Sequence, residues 1–120
     1  MKRYLILGVI GALIWCSASY AGPKEDAISY IHSQQNSDSS WGDITPWRDT
    51  ADIADIMYSI EGPSTVSKHA LDYLATYNGA VTDYQARAIA LLHRGNRDIG
   101  ALAAQLAALQ QENGGFSINR

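Results

Sequence analysis

Asp49, Asp52 and Asp55 recur every third residue in PWRDTADIAD, residues 46–55. On a helix this spacing spreads three carboxylates over about 120° of surface, enough to present two of them to a cation or a sugar. The same residues also suit a purely structural role. Asp49 is placed to cap a helix N-terminus and Asp52 to sit in its first turn, where negative charge complements the helix dipole. Asp55 is less easily absorbed this way, because Ile53 and Ile56 flank it. Trp47, preceded by Pro46, belongs to the loop entering this helix. Its ring could stack on a sugar or an isoprenoid, or pack against Trp41 or a neighbouring loop. Tyr84, Gln85 and Arg87 open a later helix and could line a cavity, although an ordinary helix surface accounts for them equally well. His32, His69 and His93 are far apart, with no second histidine at ligand spacing, so neither a metal nor a cofactor is expected.

Elements that would position these side chains are helical. Alternating strand patterns are absent, and apolar residues recur at helical spacing through alanine-rich stretches. Five helices are expected. The first spans about residues 24–35, with Ala27, Ile28 and Ile31 on one face. A second starts at Asp49, points Ile53, Ile56, Met57 and Ile60 inward, and stops at Gly62-Pro63. Ser64 caps a third, whose inward residues are Val66, Ala70, Leu71, Leu74 and Tyr77. The fourth covers about residues 82–93, and Asp98 caps a fifth with Leu102, Leu106 and Leu109 as its core stripe. Two kinds of helix alternate. One ends in a polar turn, as in AISYIHSQQ and ALAAQLAALQQ, and ALDYLATYNG is a degenerate copy. The other begins with an acidic cap, as at Asp49 and Asp83, 34 residues apart. That period fits helical hairpins, which must stack to bury their apolar stripes.

The polar turns carry a resemblance. Gln35-Asn36-Ser37-Asp38-Ser39-Ser40-Trp41-Gly42 resembles the Q-x-x-D-G-S-W-G repeat of the squalene-cyclase and prenyltransferase (terpenoid cyclase-like) superfamily, and Gln111-Glu112-Asn113-Gly114-Gly115-Phe116 is similar to a second copy. Asp49-Thr50-Ala51 is also similar to the segment that follows this repeat. The resemblance implies an all-α fold in which residues 22–120 form about two and a half helical hairpins, an arc of an α/α toroid. In such a fold Gln35 would bond backbone groups at a neighbouring helix end, Asp38 would close an Asx turn, and Trp41 would cover the open end of a hairpin. The match departs from the pattern at Ser39, where the family has glycine, and at Phe116, where it has tryptophan. The middle hairpin has no copy. The D-x-D-D acid of the cyclases is missing, and no cysteine outside residues 1–21 could supply zinc or thioester chemistry. These absences favour a non-catalytic scaffold or binding module. An enzyme acting on an isoprenoid or a polysaccharide, with catalytic residues beyond these 120, is the alternative.

The start of the chain reads as an export signal. Lys2 and Arg3 precede twelve uncharged, mostly apolar residues, Tyr4 to Trp15, and Ser19-Tyr20-Ala21 offers a small-x-small cleavage pattern. Twelve helical residues reach about 18 Å, short of a membrane's hydrocarbon core, so no permanent span is expected. Cys16 follows bulky Trp15 rather than the small residue that lipidation prefers. Losing Lys2 and Arg3 takes the net charge from −3 to −5, and no basic cluster remains to attract nucleic acid. The stripe on the fifth helix is expected to leave an apolar edge, open to downstream repeats of a longer polypeptide or to self-association. Cleavage between Ala21 and Gly22 is the first prediction. N-terminal sequencing of exported material should begin at Gly22, and a sequence beginning at Met1 would refute it.

Overall fold

A computed structural model describes residues 22–116, so the leader Tyr4–Trp15 and the cleavage position after Ala21 lie outside the described residues. Five helices follow one another: α1 (Pro23–Ser33), α2 (Pro46–Glu61), α3 (Thr65–Ala75), α4 (Thr82–Arg94) and α5 (Gly100–Ala108). Among the described residues no strand forms, and the one bridge pairs Gln110 with Phe116. The all-α expectation therefore holds.

The local signals act largely as their chemistry dictates. Pro46 starts α2 at a position whose missing N–H would have had no helical partner. Helix α2 consequently begins three residues before Asp49, and Thr45, not Asp49, is its N-cap residue. Asp83 likewise lies inside the first turn of α4, after Val81 at the N-cap. Ser64 does cap α3, in a reciprocal box with Ser67, whose hydroxyl accepts the Ser64 N–H at 2.8 Å. Asp98 accepts from the Gly100 N–H at 2.8 Å, one residue outside the N-cap Ile99.

Packing is centred on α2, α3 and α4, which contact one another in all three pairs, with α5 laid against α4. Small residues make the seams: Thr50, Ala51 and Ala54 of α2, Ser67 and Ala70 of α3, and Ala88 of α4 are all buried. Met57, Leu71, Leu74, Leu92 and Leu102 fill the space between. Ile56 and Ile60, expected to point inward, are instead 53% and 43% exposed. The reason is geometric. The alanine side of α2 lets α3 and α4 approach closely, and the isoleucines lie on the opposite side.

Helix α1 departs from the hairpin expectation. It contributes no buried residue and is held at its C-terminal end. Its Ile31 carbonyl accepts the Trp41 indole N–H at 2.9 Å, and His32 meets Glu61 at the end of α2 at 2.9 Å. Trp41 itself is 2% exposed, within the cluster that contains Ala51, Leu71 and Leu74. Phe116, its counterpart near the other end of the chain, is 42% exposed. Replacing Trp41 by Ala should therefore cost about 3–5 kcal/mol, whereas Phe116→Ala should cost well under about 1 kcal/mol. Urea unfolding of both variants checks this, and equal costs would contradict the burial of Trp41.

Candidate functional site

The residues singled out by type and spacing fall into three separate places. The first is the polar loop after α1. Asp38 Oδ1 accepts from the Ser40 N–H at 3.0 Å and from the Ser40 hydroxyl at 2.6 Å, which closes the expected Asx turn. These bonds, the hydroxyl first, hold the Asp38 carboxyl below its usual value. Gln35 donates to the carbonyls of Ser39 at 3.1 Å and of Val66, in the first turn of α3, at 3.4 Å. The Trp41 N–H donates to the buried Thr50 hydroxyl at 2.9 Å. Ser39 adopts φ +74°, the left-handed region where the resembled repeat has glycine. Gly42 is required on two counts: its φ is +78°, and a Cβ there would meet the Asp49 carboxylate at 2.1 Å. Asp49 is thus committed to the loop, with Thr45 donating its hydroxyl to it at 2.9 Å.

The second polar loop repeats the local bonds of this turn and corrects its register. Gln110, not Gln111, matches Gln35, because Gln110 donates to the Gly114 carbonyl at 2.8 Å. Gln111 takes the part of Asn36: its N–H donates to the Gly115 carbonyl at 2.8 Å, as Asn36 donates to Ser40 at 2.8 Å. Asn113 replaces Asp38, accepting from the Gly115 N–H at 2.9 Å, and Gly114 replaces Ser39 with φ +81°. The loop is therefore a self-contained motif that forms with or without a buried aromatic. The short middle connection is held differently: the Tyr77 hydroxyl accepts the N–H of Val81, four residues on, at 3.1 Å. Buried Gln85 then anchors that connection by donating to the Gly79 carbonyl at 2.7 Å.

Trp47 and Tyr84 belong to a second place, an aromatic cluster between helices. The Trp47 ring stacks on Tyr73 at 4.2 Å and meets Tyr77 edge-on at 4.8 Å, and Tyr77 meets Tyr84 edge-on at 6.0 Å. Trp47 therefore packs on α3 and the residues after it, against the core cluster that also holds Trp41. Burial raises the Tyr73 phenol above its usual value, with the Asp38 charge adding to the effect.

Asp52 and Asp55 form the third place, a cleft of about 220 Å³ between α2 and α4. Ala51, Ala90 and Leu91 line it beside Asp52, Asp55, Arg87 and Arg94. Arg87 bridges Asp52 at 2.5 Å and forks onto both oxygens of Asp83 at 3.0 and 3.1 Å. The Asp83 bond, followed by the Asp52 and Asp83 charges, outweighs burial and raises the Arg87 guanidinium above its usual value. Arg94 reaches Asp55 at 2.6 Å and the Ser59 hydroxyl at 3.1 Å, and lies 5.1 Å from the centre of the Tyr58 ring. Arg48 adds a looser contact to Asp52 at 3.9 Å. Both aspartates are thus matched by cations of the facing helix. Among the described residues no group of three or more His, Cys, Asp or Glu is arranged to hold a metal ion.

The sequence points to Asp52, Asp55 and Arg87 but not to their pairing, to Thr50 but not to its bond with Trp41, and not to Arg94 or Gln110. The seven-residue spacing of Arg87 and Arg94, two turns of one helix face, was the available signal for Arg94. Compared with protein-family models, curated proteins and solved structures, the chain matches none.

Asp38 also generates a pH prediction. Its folded-state value is depressed, so its contribution is present above the unfolded carboxyl value, near pH 4, and is lost as pH falls through the lower folded value. Asn113 makes the same turn without charge, so Asp38→Asn should still fold. The stability difference between wild type and Asp38→Asn should shrink as the pH falls from neutral to about 3. Urea midpoints across that range check it, and a constant difference would exclude the carboxylate charge as the cause.

Proposed function

We propose that the chain is an exported, non-catalytic helical-repeat module that acts as a scaffold or binding unit, built as an arc of the α/α-toroid kind. The observation that carries this reading is the engagement of Asp52 and Asp55. Each is ion-paired to an arginine of α4, and Arg94 is held further by Ser59 and Tyr58. These pairs join two helices, a structural duty. The recurrence of the local turn in the two polar loops supports the repeat reading, and its implied partners are further units of the same kind, from this polypeptide or another copy.

The second reading, a toroid enzyme or receptor acting on an isoprenoid or a polysaccharide, draws on the cleft between α2 and α4. Its alanine and leucine lining and its alternating charges suit a polar ligand with an apolar face.

Replacing Asp52 and Asp55 together by Asn separates the two. The side chains are 45% and 61% exposed, so each lost pair should cost at most about 1 kcal/mol. We expect a modest drop in the melting temperature and unchanged retention on immobilised polysaccharide and polyprenyl-phosphate vesicles. Retention by the wild type that disappears in a variant of unchanged stability would replace the scaffold reading with the second.

A further inference from the structure

The sequence holds two Asn-Gly pairs, Asn78-Gly79 and Asn113-Gly114, and the fold treats them differently. An asparagine followed by glycine is the pair whose side-chain amide is most open to attack by its own backbone. Glycine has no Cβ to shield its nitrogen or to restrict the approach. Asn113-Gly114 is built into the second polar turn, where the Gly114 N–H donates to the Gln111 carbonyl at 2.8 Å. Asn113 Oδ1 is held there by the Gly115 N–H at 2.9 Å. Asn78-Gly79 lies instead in the connection between α3 and α4. Asn78 is exposed, and among the described residues its side-chain amide has no hydrogen-bond partner and the Gly79 N–H has no acceptor. We infer that Asn78-Gly79 is a site of spontaneous deamidation, at which the chain converts its own asparagine to isoaspartate or aspartate.

The reaction consumes only water. The Gly79 nitrogen attacks the Asn78 Cγ and forms a new C–N bond. The Cγ–Nδ2 bond breaks, and the amide nitrogen leaves as ammonia, carrying the proton that Gly79 gives up. Water then opens the resulting cyclic imide. Cleavage at Cγ yields aspartate with the original backbone, and cleavage at the backbone carbonyl yields isoaspartate. In the second product the chain runs through the side chain and is one carbon longer. The position gives that carbon a structural consequence. Tyr77, on one side, is buried edge-on to Trp47 and Tyr84, and its hydroxyl accepts the Val81 N–H at 3.1 Å. Gly79, on the other, is fixed by buried Gln85 through its carbonyl at 2.7 Å. The fit is close, since a Cβ on Gly79 would meet the Tyr77 hydroxyl at 2.5 Å. A connection tied to the core on both sides cannot lengthen without giving up one of these bonds, so the join between α3 and α4 weakens as the chain ages.

Peptide mapping by mass spectrometry tests the inference on the folded full-length chain, sampled over days in mildly alkaline buffer at physiological temperature. An Asn78→Gln variant is aged alongside. Attack at Asn113 must first free the Gly114 N–H, so conversion should be at least about fivefold faster at Asn78, the effect of one backbone hydrogen bond. In concentrated urea, where both loops are released, the two sites should convert at similar rates. Aged wild type should melt below fresh protein, whereas aged Asn78→Gln should melt as it did when fresh. Equal rates at the two sites in the folded chain overturn the inference, as does an Asn78 that stays intact while Asn113 converts. A rate difference that persists unchanged in urea would assign it to sequence rather than fold and overturns it as well. Wild type carrying isoaspartate at position 78 that melts like fresh protein would overturn the weakened join.

Discussion

Trp41 is the constraint on which the arrangement depends. Its ring is buried among helices that the chain has not yet built when it reaches residue 41, so its position requires α2 and α3 to be in place. Burying an indole also buries its polar groups, and each must find a partner. The Nε1–H donates to the Ile31 carbonyl at the end of α1, and the backbone N–H donates to Thr50 in α2. One residue therefore ties the first helix, the loop and the second helix together. Gln35 adds the third helix by reaching the Val66 carbonyl. Helix α1 has no fully buried residue; Ile31 packs partly buried against the core, and these bonds, with the His32–Glu61 contact, complete its attachment.

Around that anchor, the helices are joined by two kinds of contact with different weights. Alanine, serine and threonine at the seams bring α2, α3 and α4 close, and the leucines and Met57 supply the apolar burial that drives association. The pairs Asp52–Arg87 and Asp55–Arg94 lie at the rim of the α2–α4 seam and are partly solvated. Partly exposed pairs contribute little net energy. Their effect lies in register: two acids three residues apart meet two arginines seven residues apart, and sliding either helix by a turn would break both pairs.

The polar loops separate local from tertiary causes. Residues 35–40 and 110–115 adopt the same turn with the same local glutamine, Asx and backbone hydrogen bonds, though one is packed on a helical core and the other is exposed. The turn is thus encoded by its own glutamine, Asx residue and left-handed position. Ser39 occupies that position at a backbone cost of about 1–2 kcal/mol relative to glycine. Burial of the following aromatic offsets that cost in the first loop, while Gly114 avoids it in the second.

What the sequence alone determined was therefore local. Helix number and type, the Ser64 cap, the Asx turn at Asp38 and the inward Ala70, Leu71 and Leu74 follow from propensity, periodicity and short-range hydrogen bonding within a few residues. The face of α2 did not. Ile53, Ile56, Met57 and Ile60 look like the core stripe because they are the larger hydrophobes, yet close approach of three helices selects the side of Thr50, Ala51, Ala54 and Met57, leaving Ile53 partly buried and Ile56 and Ile60 exposed. Only the tertiary structure decided that Asp52 and Asp55 would meet Arg87 and Arg94, residues 35 and 39 positions away. Nor could spacing foresee that Trp47 would stack on Tyr73, or that α1 would attach by its end. Each of these contacts depends on how separate helices are placed against one another, and that placement is set by the fit of whole surfaces, which no short stretch of sequence contains.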